Sequence, residues 1–201
     1  ANGGIDYLLT RPQVNKKKIG IMGHSEGGMI APMIAASRKD IDFIVMMAGP
    51  GVKIIEMMAA QNAAVLRSAG ISDAASTAYT DFYREVVKTI LSSPDTAAAI
   101  ESGRKVLQNW VSKTPDSLVA QLGISHANVQ EQMISSMVQQ ISTPWFRYFF
   151  NHDPQPNLQK LRCKVLAING SRDVQVISQQ NLSGIEQAFK KSKLKTYEIK
   201  E

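Results

Sequence analysis

The stretch Ile19-Gly20-Ile21-Met22-Gly23-His24-Ser25-Glu26-Gly27-Gly28 carries the strongest structural signal in the chain. Lys18 to Met22 reads as a short apolar strand closed by Gly23. Glu26 to Lys39 reads as a helix, with Met29, Ile30, Met33 and Ile34 at helical spacing. Between them, Gly23-His24-Ser25-Glu26-Gly27 places a serine on a strand-to-helix turn in the pattern Gly-x-Ser-x-Gly. Such a turn holds the serine at a strained backbone conformation and exposes its Oγ at the sheet edge. The residues two before and two after it are expected to pass so close that side chains there would clash. The helix that follows aims its free N–H groups and the positive end of its dipole at the same place. Ser25 is therefore a candidate nucleophile, and the Glu26 backbone amide is the natural donor to an oxyanion. The plain alternative is a glycine-rich turn in which Ser25 caps the helix. Pro32 inside the helix is expected to remove one backbone hydrogen bond.

The pattern on either side of this turn sets the fold class. Ile5, Leu8 and Leu9 fit a short helix that ends before Pro12. Ile41 to Ala48 is a continuous apolar run closed by Gly49-Pro50-Gly51, as expected of a parallel strand buried on both faces. Residues 52–150 then read almost wholly helical. Ile54 to Ala69 ends at Gly70. The helix after Ser72 spaces Tyr79, Phe82, Tyr83, Val86, Val87, Ile90 and Leu91 on one face. Ser93-Pro94 and Thr114-Pro115 each predict a helix start, with the hydroxyl residue as cap and proline first in the helix. A further helix runs from His126 to Ile141. Lys164 to Ile168 reads as a strand, Asn169-Gly170 as a turn, Ser178 to Lys191 as a helix and Lys195 to Glu201 as a strand. This order predicts an α/β protein with a parallel sheet, right-handed crossovers and flanking helices. Residues 1–51 and 152–201 are expected to form the partial α/β core. Residues 52–151 are expected to form an all-helical cap inserted at the strand edge where such sheets bind ligands, and so to cover the site.

Composition removes several classes. Of the 201 residues 44% are hydrophobic, enough for a core, so a disordered chain is excluded. One cysteine, Cys163, rules out an intrachain disulfide framework or a multi-cysteine zinc site; beside a strand it reads as a reduced core residue. No apolar run reaches the length of a membrane span, and Ala1-Asn2-Gly3-Gly4 does not begin a signal peptide. The net charge is +6, with clusters at Lys16-Lys17-Lys18 and Lys190-Lys191-Ser192-Lys193. Neither is interleaved with aromatics, so both read as solvated surface, and neither a nucleic-acid nor a membrane partner is expected. His, Asp and Glu do not recur at ligand spacing, and the glycines enclose a serine without the lysine of a phosphate loop. No metal and no cofactor are expected.

A second site element is Asn169-Gly170-Ser171-Arg172-Asp173, directly after a strand. An acid at that place, downstream of the serine, suits the role of orienting a histidine and stabilising its imidazolium. The plain alternative is a turn aspartate that bonds its own backbone. Together these stretches resemble the α/β-hydrolase superfamily. The closer likeness is to serine esterases and thioesterase- or prolyl-peptidase-like hydrolases with a helical insertion after the sixth strand. The likeness rests on Ile19 to Gly28, Met47 to Gly51 and Val165 to Val176, and covers about half of the chain.

The resemblance implies a catalytic histidine on the loop after the last strand, and no histidine follows Asp173. His24 flanks the nucleophile and is expected to point away from Oγ as a packing residue or one behind the residues that touch substrate. His126 opens a helix, and His152 lies in the return from the helical region. The expectation is therefore a piece of a longer hydrolase, with the histidine and the second oxyanion donor outside these residues, and little activity of its own. The expected parent is a carboxylic ester hydrolase that uses Ser25 and Asp173 on a small ester or acyl substrate. Acyl-CoA thioesterase or peptidase activity stays open within the class. A non-catalytic binding or oligomerisation module stays open outside it, and self-association with it. His24, Trp145 and Phe146 are candidate substrate contacts, the two aromatics with the alternative role of helical core.

Overall fold

The structure is a computed structural model and describes residues 1–192 and 194–201. In chain order the elements are α1 (Asn2–Thr10), β1 (Gly20–His24), α2 (Glu26–Ser37), β2 (Phe43–Met47), α3 (Ile54–Ser68), α4 (Asp73–Ser92), α5 (Thr96–Lys113), α6 (Asp116–Gln121), α7 (Ala127–Ile141), α8 (Pro144–Asn151), α9 (Gln155–Lys160), β3 (Lys164–Ile168), α10 (Ser178–Lys191) and β4 (Tyr197–Lys200). They divide into two compact units: Ala1–Lys53 with Asp153–Glu201, and Ile54–His152. No helix among the described residues is long and apolar enough to cross a membrane.

The first unit is an α/β sheet structure. Its four strands run in the order β1-β2-β3-β4, each neighbouring pair parallel. The register carries Met22 to Val45, Val45 to Leu166 and Leu166 to Glu198. Ile44, Met46, Val165 and Ala167 point to one face. There they join Ile5 of α1, Ala31 and Ile34 of α2, Leu158 of α9 and Ile185 and Phe189 of α10 in one buried cluster. The expectation that β2 is buried on both faces is half right: Val45 and Met47 keep partial exposure, and Phe43 is exposed. Pro32 is buried within α2, which runs through it from Glu26 to Ser37.

The chain leaves this unit after Lys53 and returns at Asp153, and just inside these points Gly51 and Gln155 are both fixed to α10. Gly51 N donates to Asn181 Oδ1 at 2.9 Å. Gln155 Nε2 donates to the carbonyls of Gly51 and Gly184, at 2.7 and 2.9 Å. Glycine is required there, since a Cβ on Gly184 would lie 2.4 Å from the Gly51 carbonyl oxygen.

The second unit is all helix. Ser72 caps α4 as the sequence suggests, accepting from Ala75 N. The start read at Ser93-Pro94 is displaced. Ser93 closes α4, and Asp95 caps α5 by accepting from Ala98 N at 2.8 Å, because a carboxylate two residues on reaches the free N–H group. Thr114 likewise closes α5, its hydroxyl donating to Trp110 O, and Pro115 stands at the cap position of α6. The same dipeptide does start a helix at Thr143-Pro144, where Thr143 Oγ1 accepts from Phe146 N. That helix, α8, and α9 after it are too short to show a periodic pattern in the sequence. The core of this unit includes Phe82, Val86, Ile90, Ile134, Val138 and Ile141, all buried.

Candidate active site

The turn between β1 and α2 is built by close backbone approach. Ser25 sits at φ 52° and ψ −112°. A serine held in so sparsely populated a region costs on the order of 1–3 kcal/mol. Ser25 N donates to Met47 O of the neighbouring strand at 2.9 Å, and Ser25 O accepts from Met29 N at 3.1 Å. The Ser25 side chain makes no capping hydrogen bond to α2, so Oγ is not consumed in the role the plain alternative gives it.

The glycines divide unevenly. A Cβ on Gly23 would lie 2.0 Å from the Gly27 carbonyl oxygen, which no relaxation of a side chain can relieve. A Cβ on Gly27 would meet nothing within 4 Å, contrary to the expectation that both positions are sterically closed. The second closed position is Gly28, whose Cβ would stand 2.7 Å from Gly49 Cα. Turn and sheet therefore meet at Gly28 and Gly49. Just before this contact Ala48 adopts φ 47° and donates its N–H to Ile168 O at 2.8 Å. A left-handed alanine is uncommon, and here it bends the chain out of β2 beside the serine.

The acid loop is built differently, by side chains bonding to backbone. Asp173 Oδ1 accepts from Gln175 N at 2.8 Å and from Val176 N at 3.0 Å, and Asp173 N donates to Gly170 O at 3.1 Å. The turn-aspartate role is thus filled by one carboxylate oxygen; Oδ2 makes no hydrogen bond among the described residues. Asn169, 6% exposed, spans the loop from within. Its Nδ2 donates to Val176 O at 2.8 Å and to Gly170 O at 3.3 Å, while its Oδ1 is buried without a partner among the described residues. In the sequence Asn169 opens the turn of the second site element, without a role of its own. A polar residue closing the apolar run Val165-Leu166-Ala167-Ile168 is the signal that would have found it.

These elements meet at a cavity of about 430 Å³ at the C-terminal ends of the strands, lined by His24, Ala48, Asn169, Asp173, Lys200 and Glu201 among others. The structure brings His24 and Asp173 to one cavity. Ser25 is the next residue along but does not itself line it. His24 is exposed and faces this space rather than packing in the interior. Glu26 is exposed at the first turn of α2.

The remaining candidates lie in the helical unit. Trp145 is 44% exposed, with ring centroids 5.9 Å from Tyr148 and 6.5 Å from Phe149. Phe146 is half-buried and stacks on Phe150. Neither lines the cavity. Trp110 donates Nε1–H to Ala78 O and packs on Phe82, a core role. His126 stands at the start of α7 without capping it, and His152 closes α8 beside the Tyr148 ring.

A strained serine between a parallel strand and a helix, with an acid after a later strand of the same sheet, defines the class: the chain has the α/β-hydrolase fold. Residues 2–105 match the family model described as BAAT / Acyl-CoA thioester hydrolase C terminal, and the chain belongs to this hydrolase family. The matched segment contains Ser25 and ends before Asp173.

The chain is similar to the Pyrococcus horikoshii acylaminoacyl peptidase at 14% identity and TM-score 0.45, covering 100% of this chain and 22% of that one. It is similar to acetyl xylan esterase 1 from Thermoanaerobacterium sp. JW/SL YS485 at 13% identity and TM-score 0.41, covering 98% of this chain and 42% of that one. It is similar to the meta-cleavage product hydrolase from Pseudomonas fluorescens IP01 at 17% identity and TM-score 0.42, covering 99% of this chain and 59% of that one. The chain thus spans between about a fifth and three-fifths of these proteins. No curated protein matches it.

Proposed function

We propose that the chain belongs to a serine hydrolase that cleaves a carboxylic ester bond, with Ser25 as nucleophile and Asp173 as the acid of the triad. The observation that carries this reading is the backbone of Ser25, held at φ 52° between β1 and α2 with its hydroxyl outside any helix cap. Ser25 Oγ attacks the acyl carbon, and its proton passes to a histidine acting as general base. The Glu26 amide, at the first turn of α2, donates to the oxyanion. Collapse of the tetrahedral species expels the leaving group, which takes that proton. Water then releases the acyl group from Ser25. Asp173 has an unused Oδ2 with which to orient the histidine.

A second reading, hydrolysis of a thioester of the acyl-CoA kind, is favoured by the description of the family matched over residues 2–105. The two differ only in the leaving group, oxygen or sulfur.

Chemical rescue tests the proposal. Wild-type protein and Ser25→Ala are compared on para-nitrophenyl acetate with increasing imidazole as a base in solution. The expected result is little Ser25-dependent turnover without imidazole and a rising difference between the two proteins with it. Turnover at the normal rate of an esterase without imidazole would overturn the need for an added base. No difference between the proteins at any imidazole concentration would overturn Ser25 as nucleophile.

A further inference from the structure

The positive charge of the chain is not spread evenly. The sheet unit holds 16 Lys and Arg against 9 Asp and Glu, a formal +7, while the helical unit holds 7 against 8, a formal −1. Within the sheet unit the charge gathers at one edge. The segments that lead into the four parallel strands, residues 11–19, 38–42, 160–164 and 190–196, contain twelve described Lys and Arg and two Asp. Lys193 lies outside the described residues. The segments that leave the strands, at the Ser25 edge, are balanced: Lys53 and Arg172 stand against Glu26 and Asp173.

Helix ends explain part of this. Arg11 and Arg38 stand at the C-caps of α1 and α2, and Lys160, Lys190 and Lys191 lie in the last turns of α9 and α10, where a cation complements the dipole. Several are also neutralised locally: Arg38 by Asp6 and Asp40, Lys164 by Asp42, Lys190 by Glu186. Lys160, Arg162, Lys191 and Lys195 make no ion pair among the described residues. They border two adjoining cavities of about 760 and 390 Å³, which share Leu161 and Arg162. Gln155, Gln159, Ser192 and Thr196 add polar side chains to the lining, and Asp153 and Asp42 are its acids.

We propose that this groove, at the sheet edge opposite Ser25, binds an extended acidic peptide segment of a partner protein. Its shape and chemistry select that occupant. A flat anionic bilayer does not enter a recess. No aromatic residue lines either cavity to stack a nucleic-acid base. Separate ammonium groups and the Arg162 guanidinium beside amide and hydroxyl side chains suit carboxylates spaced along a chain. The cations are exposed, so the attraction is long-range, favours rapid encounter and is sensitive to salt.

The test uses the 201-residue protein and a fluorescein-labelled oligoglutamate peptide, read by fluorescence anisotropy. Binding is expected at low salt and should weaken by about tenfold or more as ionic strength rises from about 50 to about 300 mM. The combined variant Lys160→Gln, Arg162→Gln, Lys191→Gln should lose about tenfold or more in affinity while staying folded, its melting temperature lowered only by the loss of two exposed helix-end cations. Lys88→Gln in the helical unit and Ser25→Ala should bind as wild type, which keeps this proposal separate from the catalytic one. Absence of binding at low salt would overturn it, as would a triple variant that binds normally. So would tighter binding of duplex DNA or phosphatidylserine vesicles through the same three residues.

Discussion

The serine turn and the acid loop stand at the same edge of one sheet but are held by opposite means. At Ser25 the constraint is contact between backbones: Gly23 against Gly27, Gly28 against Gly49. At Asp173 it is hydrogen bonding from two side chains, Asn169 and Asp173, to a loop whose backbone follows no steric necessity. A steric constraint tolerates almost no substitution. A hydrogen-bonded one can be weakened a bond at a time.

That contrast orders the expected effects of substitution. Gly23→Ala drives a methyl group into the Gly27 carbonyl and should cost about 3 kcal/mol, the upper end for overpacking, in chemical denaturation, with loss of any reactivity of Ser25. A near-neutral result would break the steric half of the comparison. Asn169→Ala removes the bond to Val176 O and leaves that carbonyl unmet, so urea titration should record a loss of about 1–3 kcal/mol. Asp173 separates two roles within one side chain. Asp173→Asn keeps an oxygen to accept from Gln175 and Val176, so its stability should change by less than about 1 kcal/mol, while Asp173→Ala should lose more. Equal losses would mean that the carboxylate charge, not the accepting oxygen, holds the loop. The smallest effect is of opposite sign: Gly27→Ala meets open space within a helix and should stabilise by about 0.5–1 kcal/mol. Destabilisation there would place the steric closure where the sequence pattern alone puts it.

The same contrast explains what could be read in advance. The parallel sheet and the serine turn are legible because glycine and apolar runs leave a one-dimensional trace: Gly23 marks a contact that no other residue permits, whereas the contact at Gly28 is visible only in the structure. Gly27 fits the same motif for a different reason and was misread. The acid loop is legible only as an aspartate after a strand, and the bonds Asp173 Oδ1 accepts from Gln175 N and Val176 N are those of an ordinary turn aspartate. Asn169 and the left-handed Ala48 were missed, because neither residue type signals its conformation. The helix start at Ser93-Pro94 is displaced by the competing cap Asp95, and that at Thr114-Pro115 by one residue because the Thr114 hydroxyl bonds back into α5. Cys163 was read as a core thiol; it is half-buried, and burial raises its pKa above the ordinary thiol value. Iodoacetamide should therefore modify it more slowly at neutral pH than a free cysteine in solution.

The central claim is that Ser25 is the reactive nucleophile, and a fluorophosphonate probe tests it most directly. The protein is incubated with the probe and imidazole, digested, and the adduct located by mass spectrometry. A single adduct at Ser25, absent from Ser25→Ala and from Gly23→Ala, is the predicted result. No adduct, or modification spread over other serines with Ser25 untouched, would contradict it.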